Sequence, residues 1–361
     1  MAYLIDIIKE DLKSLDQIGF HELDACFFSI LSYFPLENKQ IDLDQLARPD
    51  FLHIIEKSQN IEENKELFRY IILNPRYKNL KILHVHEDYI PNKAKMFAYC
   101  IEISENTILV CYRGTEASLT SWEETLSYIY SSKLACQEMA KNYLEFISKT
   151  YPDKKIIVTG HSKGGNLAVY AGLNATNLDD QLLVIYDLDG PGFFTYEGFF
   201  PRENKIKKFV SSKSIVGRFL KSPSPIEFVE SRGVLWHAHF LHNWKILDGK
   251  LQRSRQVDLI AEKLAFANHE LLKIYTQDEL KEICQSLIFL ARSANLENLL
   301  YLHEHFLSAS IELITALSKL EERRRNQVLE AVDRYRSIIT GKVSSDLSKR
   351  IKEKIKQIKK A

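Results

Sequence analysis

A chain of 361 residues with 45% hydrophobic and 27% charged residues, and only 13 Gly and 9 Pro, has the composition of a globular protein, which excludes disordered, fibrous and membrane-spanning classes. Lys+Arg 49 against Asp+Glu 48 leaves a formal net charge of +1, so no overall field draws the molecule to nucleic acid or acidic polymers, and no nucleic-acid-binding motif is recognisable. The length suits one larger domain with a smaller appendage.

In chain order, Asp6 and Lys9 interrupt the first apolar run, and neither a basic leader nor a small-residue cleavage site accompanies it, which predicts no secretory signal. Nowhere do about 18 apolar residues run together, so no transmembrane helix is expected. The five cysteines (Cys26, Cys100, Cys111, Cys136, Cys284) are widely spaced and sit mostly in apolar sequence. They read as reduced core residues of a cytoplasmic protein.

Residues up to about 95 read as mainly helical and irregular, with an amphipathic stretch from Leu23 to Tyr33 stopped by Pro35. The pattern then changes. Phe97 to Ile103 and Thr107 to Tyr112 are β-forming runs separated by Ser104-Glu105-Asn106, which predicts a hairpin. Helical sequence from Leu134 to Lys149 leads to an apolar run, Lys155 to Thr159, that enters a glycine segment, and Asn166 to Leu173 is again helical. Further strands are expected at Leu182 to Tyr186, Ile206 to Val210 and Ile226 to Glu230. Strands alternating with helices predict an α/β fold with a mostly parallel, doubly wound sheet.

After about Ser254 the strand signals stop, giving residues 1–253 as the α/β domain with a helical N-terminal segment and 254–361 as a helical C-terminal extension. Thr276-Gln277-Asp278-Glu279 has the form of a capping box. At the end of the chain, Ile351, Ile355 and Ile358 share one helical face among lysines, a pattern suited to a solvated terminal helix or to peripheral contact with an anionic membrane or a partner.

Gly160-His161-Ser162-Lys163-Gly164-Gly165 lies between the strand and helix that a nucleophile elbow requires. A serine on so sharp a turn adopts strained backbone, and glycines two residues before and after let the turn close. The helix N-terminus beneath the hydroxyl favours developing negative charge. Ser162 is therefore the candidate nucleophile, and the amide of Lys163, directly after it, the first candidate oxyanion donor.

Tyr112-Arg113-Gly114-Thr115, Ser121-Trp122-Glu123-Glu124 and the Gly-His-Ser-Lys-Gly-Gly elbow together resemble the class 3 (fungal-type) lipases. With Asp189-Gly190-Pro191-Gly192-Phe193, Ser214-Ile215-Val216-Gly217 and a late His followed five residues on by Trp, residues 20 to 250 resemble an uncharacterised bacterial family of lipase-like α/β hydrolases related to them. The resemblance implies the α/β-hydrolase fold, a second oxyanion donor at Thr115, and Arg113 as a brace for the Thr115 loop.

Chain order in this fold runs nucleophile, acid, histidine. The base is sought among His237, His239 and His242, and the resemblance favours His239, five residues before Trp244. A metal site is the competing reading of this His-x-His-x-x-His run, but it has no cysteine or carboxylate partner at ligand spacing. For the acid, Asp189 comes first and Asp187 next, since both follow the strand after the elbow. The lipase pattern puts the acid one strand later, where Ser211 to Gly217 contains no carboxylate, so a dyad assisted by Ser214 stays open. The expected activity is hydrolysis of a carboxylic, or lipid, ester through an acyl-enzyme, with neither metal nor organic cofactor. The alternative is a weakly active or inactive hydrolase scaffold that binds through its helical C-terminus.

Overall fold

Apolar runs rich in β-branched and aromatic residues lie side by side in an eight-stranded sheet whose strands follow chain order. The computed structural model describes residues 2–9, 13–36, 41–58, 60–91, 94–115, 119–131, 133–195, 201–294 and 306–341. The strands are β1 (Ile41–Asp42), β2 (Lys81–Ile90), β3 (Ala94–Ser104), β4 (Thr107–Tyr112), β5 (Lys155–His161), β6 (Leu182–Leu188), β7 (Ile206–Ser211) and β8 (Ile226–Val229). From β1 to β4 neighbours are antiparallel, and from β4 to β8 they are parallel. The C-terminal ends of four successive parallel pairs therefore share one edge of the sheet.

Side chains on a strand alternate between faces, so the register row Tyr99, Cys111 and Thr159 shares one face. That face meets α1 (Glu22–Leu31), which also packs on α2 (Glu62–Leu73). Tyr99 Oη and Cys111 Sγ donate to the Phe28 carbonyl (2.6 and 3.4 Å), and Thr159 Oγ1 lies 3.3 Å from Ser29 Oγ. Tyr112, one residue beyond Cys111, points the opposite way and donates to the Ala140 carbonyl (2.8 Å). Ala140 belongs to α4 (Ala135–Thr150), which connects β4 to β5, as α5 (Lys163–Asn174) connects β5 to β6. With helices on both faces, the sheet is doubly wound.

By its contacts the chain divides into two units, one of residues 1–114 and 133–261, the other of residues 115–132 and 262–361. The expected division at 253/254 thus differs in two respects. Residues beyond 253 stay with the sheet because Ser254 N donates to Phe228 O and Asp258 N to Ser212 O (2.8 and 2.9 Å). The helix α3 (Leu119–Ser127) joins the helical unit, where Glu123 pairs with Arg292.

In that second unit, α7 (Gln277–Ser293) packs with α8 (Phe306–Lys319) and α9 (Glu322–Thr340) around Leu290, Ala316, Leu317, Val328 and Leu329. Thr276 caps α7 as expected: its Oγ1 accepts from Glu279 N (3.3 Å), and Thr276 N donates to Glu279 Oε2 (2.8 Å). The remaining helix, α6 (Leu259–Ile274), bridges the unit boundary in sequence. No described helix is long and apolar enough to cross a membrane. All five cysteines are buried. The basic stretch around Ile351 to Ile358 lies outside the described residues.

The N-terminal region, which the sequence suggested is mainly helical and irregular, contributes β1 and β2 to the sheet, and its strand Ala2–Tyr3 pairs with Lys245–Leu247. The outer half of β2 is largely exposed, so its His84, His86, Glu87 and Asp88 break the apolar rhythm. Its histidines pack on aromatic rings instead, His86 stacking on Tyr143 at 5.4 Å and His84 lying 3.0 Å from Tyr151 Oη.

In the first turn of α1, Asp24 is fully buried and accepts hydrogen bonds from His21 N (2.8 Å), Arg76 Nε and Nη2 (2.8 and 2.7 Å) and Tyr77 Oη (2.5 Å). Four donors satisfy a charge that would otherwise be costly to bury, but losing one partner strands the other. Asp24→Ala is expected to lower stability by about 3–5 kcal/mol by leaving the Arg76 guanidinium uncompensated, read from urea denaturation against wild type.

Candidate active site

The chain leaves β5 at His161 and enters α5 at Lys163, so Ser162 alone makes the turn. Its φ of 58° and ψ of −126° are conformations an L-residue rarely adopts. Its amide donates to Leu188 O at the end of β6 (2.9 Å), which fixes the turn over the sheet edge. The flanking glycines are steric necessities. A Cβ on Gly160 would lie 2.2 Å from the Gly164 carbonyl carbon, and one on Gly164 would lie 2.2 Å from the Tyr112 carbonyl oxygen. Both obstacles are backbone and cannot swing aside. Lys163 follows at the first position of α5, where amides have no intrahelical acceptor by geometry. Its Nζ donates to Lys95 O (2.8 Å).

Asp189 stands just past β6, fully buried, also at positive φ (55°). Its Oδ2 lies 2.7 Å from His239 Nδ1, and its Oδ1 accepts from Gly217 N (3.1 Å). The Ser214-to-Gly217 loop, where the lipase pattern would place the acid, instead delivers this backbone amide. Ser214 Oγ is occupied locally, accepting from Val216 N (3.1 Å). Gly217 is required by contact, since a Cβ there would come within 2.2 Å of Asp189 Oδ1. Asp187, the other candidate, engages Lys208 Nζ (2.7 Å) and Gly190 N (2.9 Å).

His239 ends the one-turn helix Trp236–His239, which begins after Leu235, a third residue at positive φ (53°). Trp244 is fully buried and donates through Nε1 to Ala238 O (3.1 Å), which gives the five-residue spacing a physical reason: the indole pins the peptide next to the histidine. Of the neighbouring histidines, His237 is exposed, whereas His242 is buried, stacks on Phe240 at 5.5 Å and has no hydrogen-bond partner at Nδ1.

His161, immediately before Ser162, lies against His239 with ring centroids 4.4 Å apart. Its Nε2 donates to His239 O (3.0 Å), and the neutral ring then accepts at Nδ1 from Tyr33 Oη (3.0 Å). Nothing in the sequence marked these contacts, which are tertiary: His161 packs on His239, Tyr33 on His161, and the Gly217 amide on Asp189. Arg113 braces the segment after α1, donating to Ser32 O and, at 2.9 Å, to Phe34 O, with its guanidinium 3.6 Å from the Phe97 ring centroid. Thr115 belongs to the helical unit, where its hydroxyl is 3.0 Å from Thr125 Oγ1. Among the described residues no group of three or more His, Cys, Asp or Glu side chains is placed to hold a metal ion.

Fold and side-chain placement together define an α/β-hydrolase-fold protein with serine, aspartate and histidine beyond the C-terminal ends of its parallel strands. The chain belongs to the Mbeg1-like family, whose model matches residues 71–289. No curated protein matches it. Among solved structures it is similar to Lip2 lipase from Yarrowia lipolytica, at 16% identity over 46% of this chain and 68% of that one (TM-score 0.31). It is also similar to the native Rhizomucor miehei lipase propeptide complex, at 17% identity over 60% and 70% of the two chains (TM-score 0.34). A mutant form of MDLA from Penicillium cyclopium is similar at 11% identity over 69% and 88% (TM-score 0.38).

Two expectations follow from these local conformations. Strain at the elbow costs about 1–3 kcal/mol, and Gly adopts positive φ freely while losing about 0.5–1 kcal/mol of chain entropy. Ser162→Gly should therefore be more stable than Ser162→Ala by roughly 1 kcal/mol, compared by denaturant midpoints.

Burial holds both His161 and His242 below the ordinary histidine range, the neighbouring His239 adding to the effect at His161, and His242 is brought down to about 4. A histidine with a lowered folded pKa binds fewer protons folded than unfolded. Its contribution is complete above the unfolded value of about 6.5 and is lost as pH falls toward the folded one. Stability should fall from pH 6.5 to 4 by at most about 1.4 kcal/mol per pH unit for each group. His242→Gln should make urea midpoints measured across this range fall less steeply.

Proposed function

We propose that the chain is a serine hydrolase cleaving a carboxylic ester through an acyl-enzyme on Ser162. The reading is carried by the buried Asp189–His239 hydrogen bond of 2.7 Å, set one strand over from a serine held in elbow conformation. Nδ1–H toward the carboxylate leaves Nε2 as the basic nitrogen, the tautomer a general base for serine requires. In this reading His239 takes the Ser162 proton as Oγ attacks the carbonyl carbon. Asp189 orients the ring and stabilises its cation without accepting the proton. The Lys163 amide, at the positive end of α5, donates to the tetrahedral oxyanion. His239 then protonates the leaving alkoxide, and water, deprotonated by the same ring, releases the acid and restores Ser162.

A fluorophosphonate probe and p-nitrophenyl esters of increasing chain length test this directly. Wild type should be labelled and should turn over. Ser162→Ala should abolish both with the thermal midpoint nearly unchanged, and Asp189→Asn should reduce turnover by about 10⁴-fold through the wrong imidazole tautomer. Absence of labelling in folded wild type would leave the chain a hydrolase-fold scaffold.

A further inference from the structure

Asp187 and Lys208 are register partners on adjacent parallel strands, β6 and β7, and their side chains are 3% and 0% exposed. Such a pair adds little net stability, since burying two charges costs about what their attraction returns, and apolar residues of similar volume serve as well. What apolar residues lack is directed hydrogen bonding. Asp187 Oδ1 accepts the Gly190 N–H (2.9 Å) while Oδ2 accepts from Lys208 Nζ (2.7 Å), and the same ammonium donates to Gly190 O (2.6 Å).

Asp189 lies between these anchors. The peptide before it is fixed by its own N–H on Phe209 O (2.8 Å), and the peptide after it by Gly190 N–H on Asp187 Oδ1. Fixing both flanking peptides sets φ and ψ of Asp189, and so the direction in which its carboxylate leaves the backbone. Space is reserved for this contact: a Cβ on Gly165 or Gly190 would fall 2.4 or 2.3 Å from Asp187 Oδ1. Gly165 lies in the first turn of α5, so the pair also meets the helix that follows Ser162.

We infer that Lys208 and Asp187 are positioning residues, holding the Asp189 turn at positive φ so that its carboxylate meets His239 Nδ1. The consequence for turnover rests on the serine-hydrolase reading, but the positioning does not, and the test separates them. The Asp187→Leu/Lys208→Met double variant removes both charges at similar volume, so that neither is left buried alone. In full-length protein, the far-downfield proton resonance of His239 Nδ1–H, assigned by its loss in Asp189→Asn, reports the hydrogen bond without any activity. The double variant should fold with a lowered midpoint, since the buried Gly190 N–H and carbonyl lose these partners, lose or shift that resonance, and be labelled by fluorophosphonate about 10²-fold more slowly, as expected for displacement near 1 Å. Should the double variant not fold, Gly190→Ala, which keeps both charges but crowds Asp187 Oδ1, should give the same spectral loss. An unchanged resonance in a folded variant would overturn the inference. Loss of the resonance in the variant, with wild type refractory to the probe, would sustain the positioning and refute the hydrolase reading.

Discussion

A carboxylate taken out of water must have its lone pairs occupied, or it loses its charge. Asp189 meets this condition with both oxygens, one on an imidazole N–H and one on a backbone amide from the next loop. Both bonds require the side chain to leave the sheet edge in one direction, which a residue at ordinary φ just past β6 would not give it. The positive φ at Asp189 is thus the geometric cost of satisfying its charge, and the glycine at 217 is what lets the amide come close enough to share it.

The same compromise recurs around it. Among the described residues five non-glycine positions have positive φ, and three of them are Ser162, Asp189 and Leu235, one at each of the three segments that converge on the site. The other two, Asn177 and Asp248, are residue types that tolerate the conformation through local hydrogen bonds. Strain of this kind persists only where surrounding structure overdetermines it. Here the support is visible: the Ser162 amide on Leu188, the Asp189 amide on Phe209, the Trp244 indole beside His239, and the large core shared by α1 and the sheet.

Much of this was legible in the sequence, for reasons tied to particular residues. Strands β3 to β8 announce themselves because they are largely apolar and bounded by turn residues. The elbow does so because its glycines are demanded by backbone contacts that recur wherever the turn is built. Asp189 and His239 were within reach through chain order and the tryptophan spacing. Strand β2 was hidden by charges on its exposed half, and β1 by its two-residue length. Lys208 could not be recognised as a partner of Asp187 without the register of β6 on β7, and a lysine beside another lysine in an otherwise apolar strand reads as solvent-facing. The assignment of residues 115–132 to the helical unit likewise has no local signal, since a helix in sequence does not declare which neighbour it packs on.

Because the strands lie in the sheet in the order in which they are made, the molecule can grow at one edge as the chain leaves the ribosome, each parallel strand docking on its predecessor. The site matures last in that sequence. When Asp187 and Asp189 first emerge their partners have not yet left the ribosome: Lys208 follows Asp187 by 21 residues, while Gly217 and His239 follow Asp189 by 28 and 50. Until then both carboxylates must stay in water, and the nascent sheet carries an open, solvated edge at β6. Strand β7 closes that edge first and brings Lys208 to Asp187, and the Gly217 amide and His239 follow, so a chain that has emerged only as far as the end of β8 would carry its sheet complete and the Asp189 carboxylate still without its histidine.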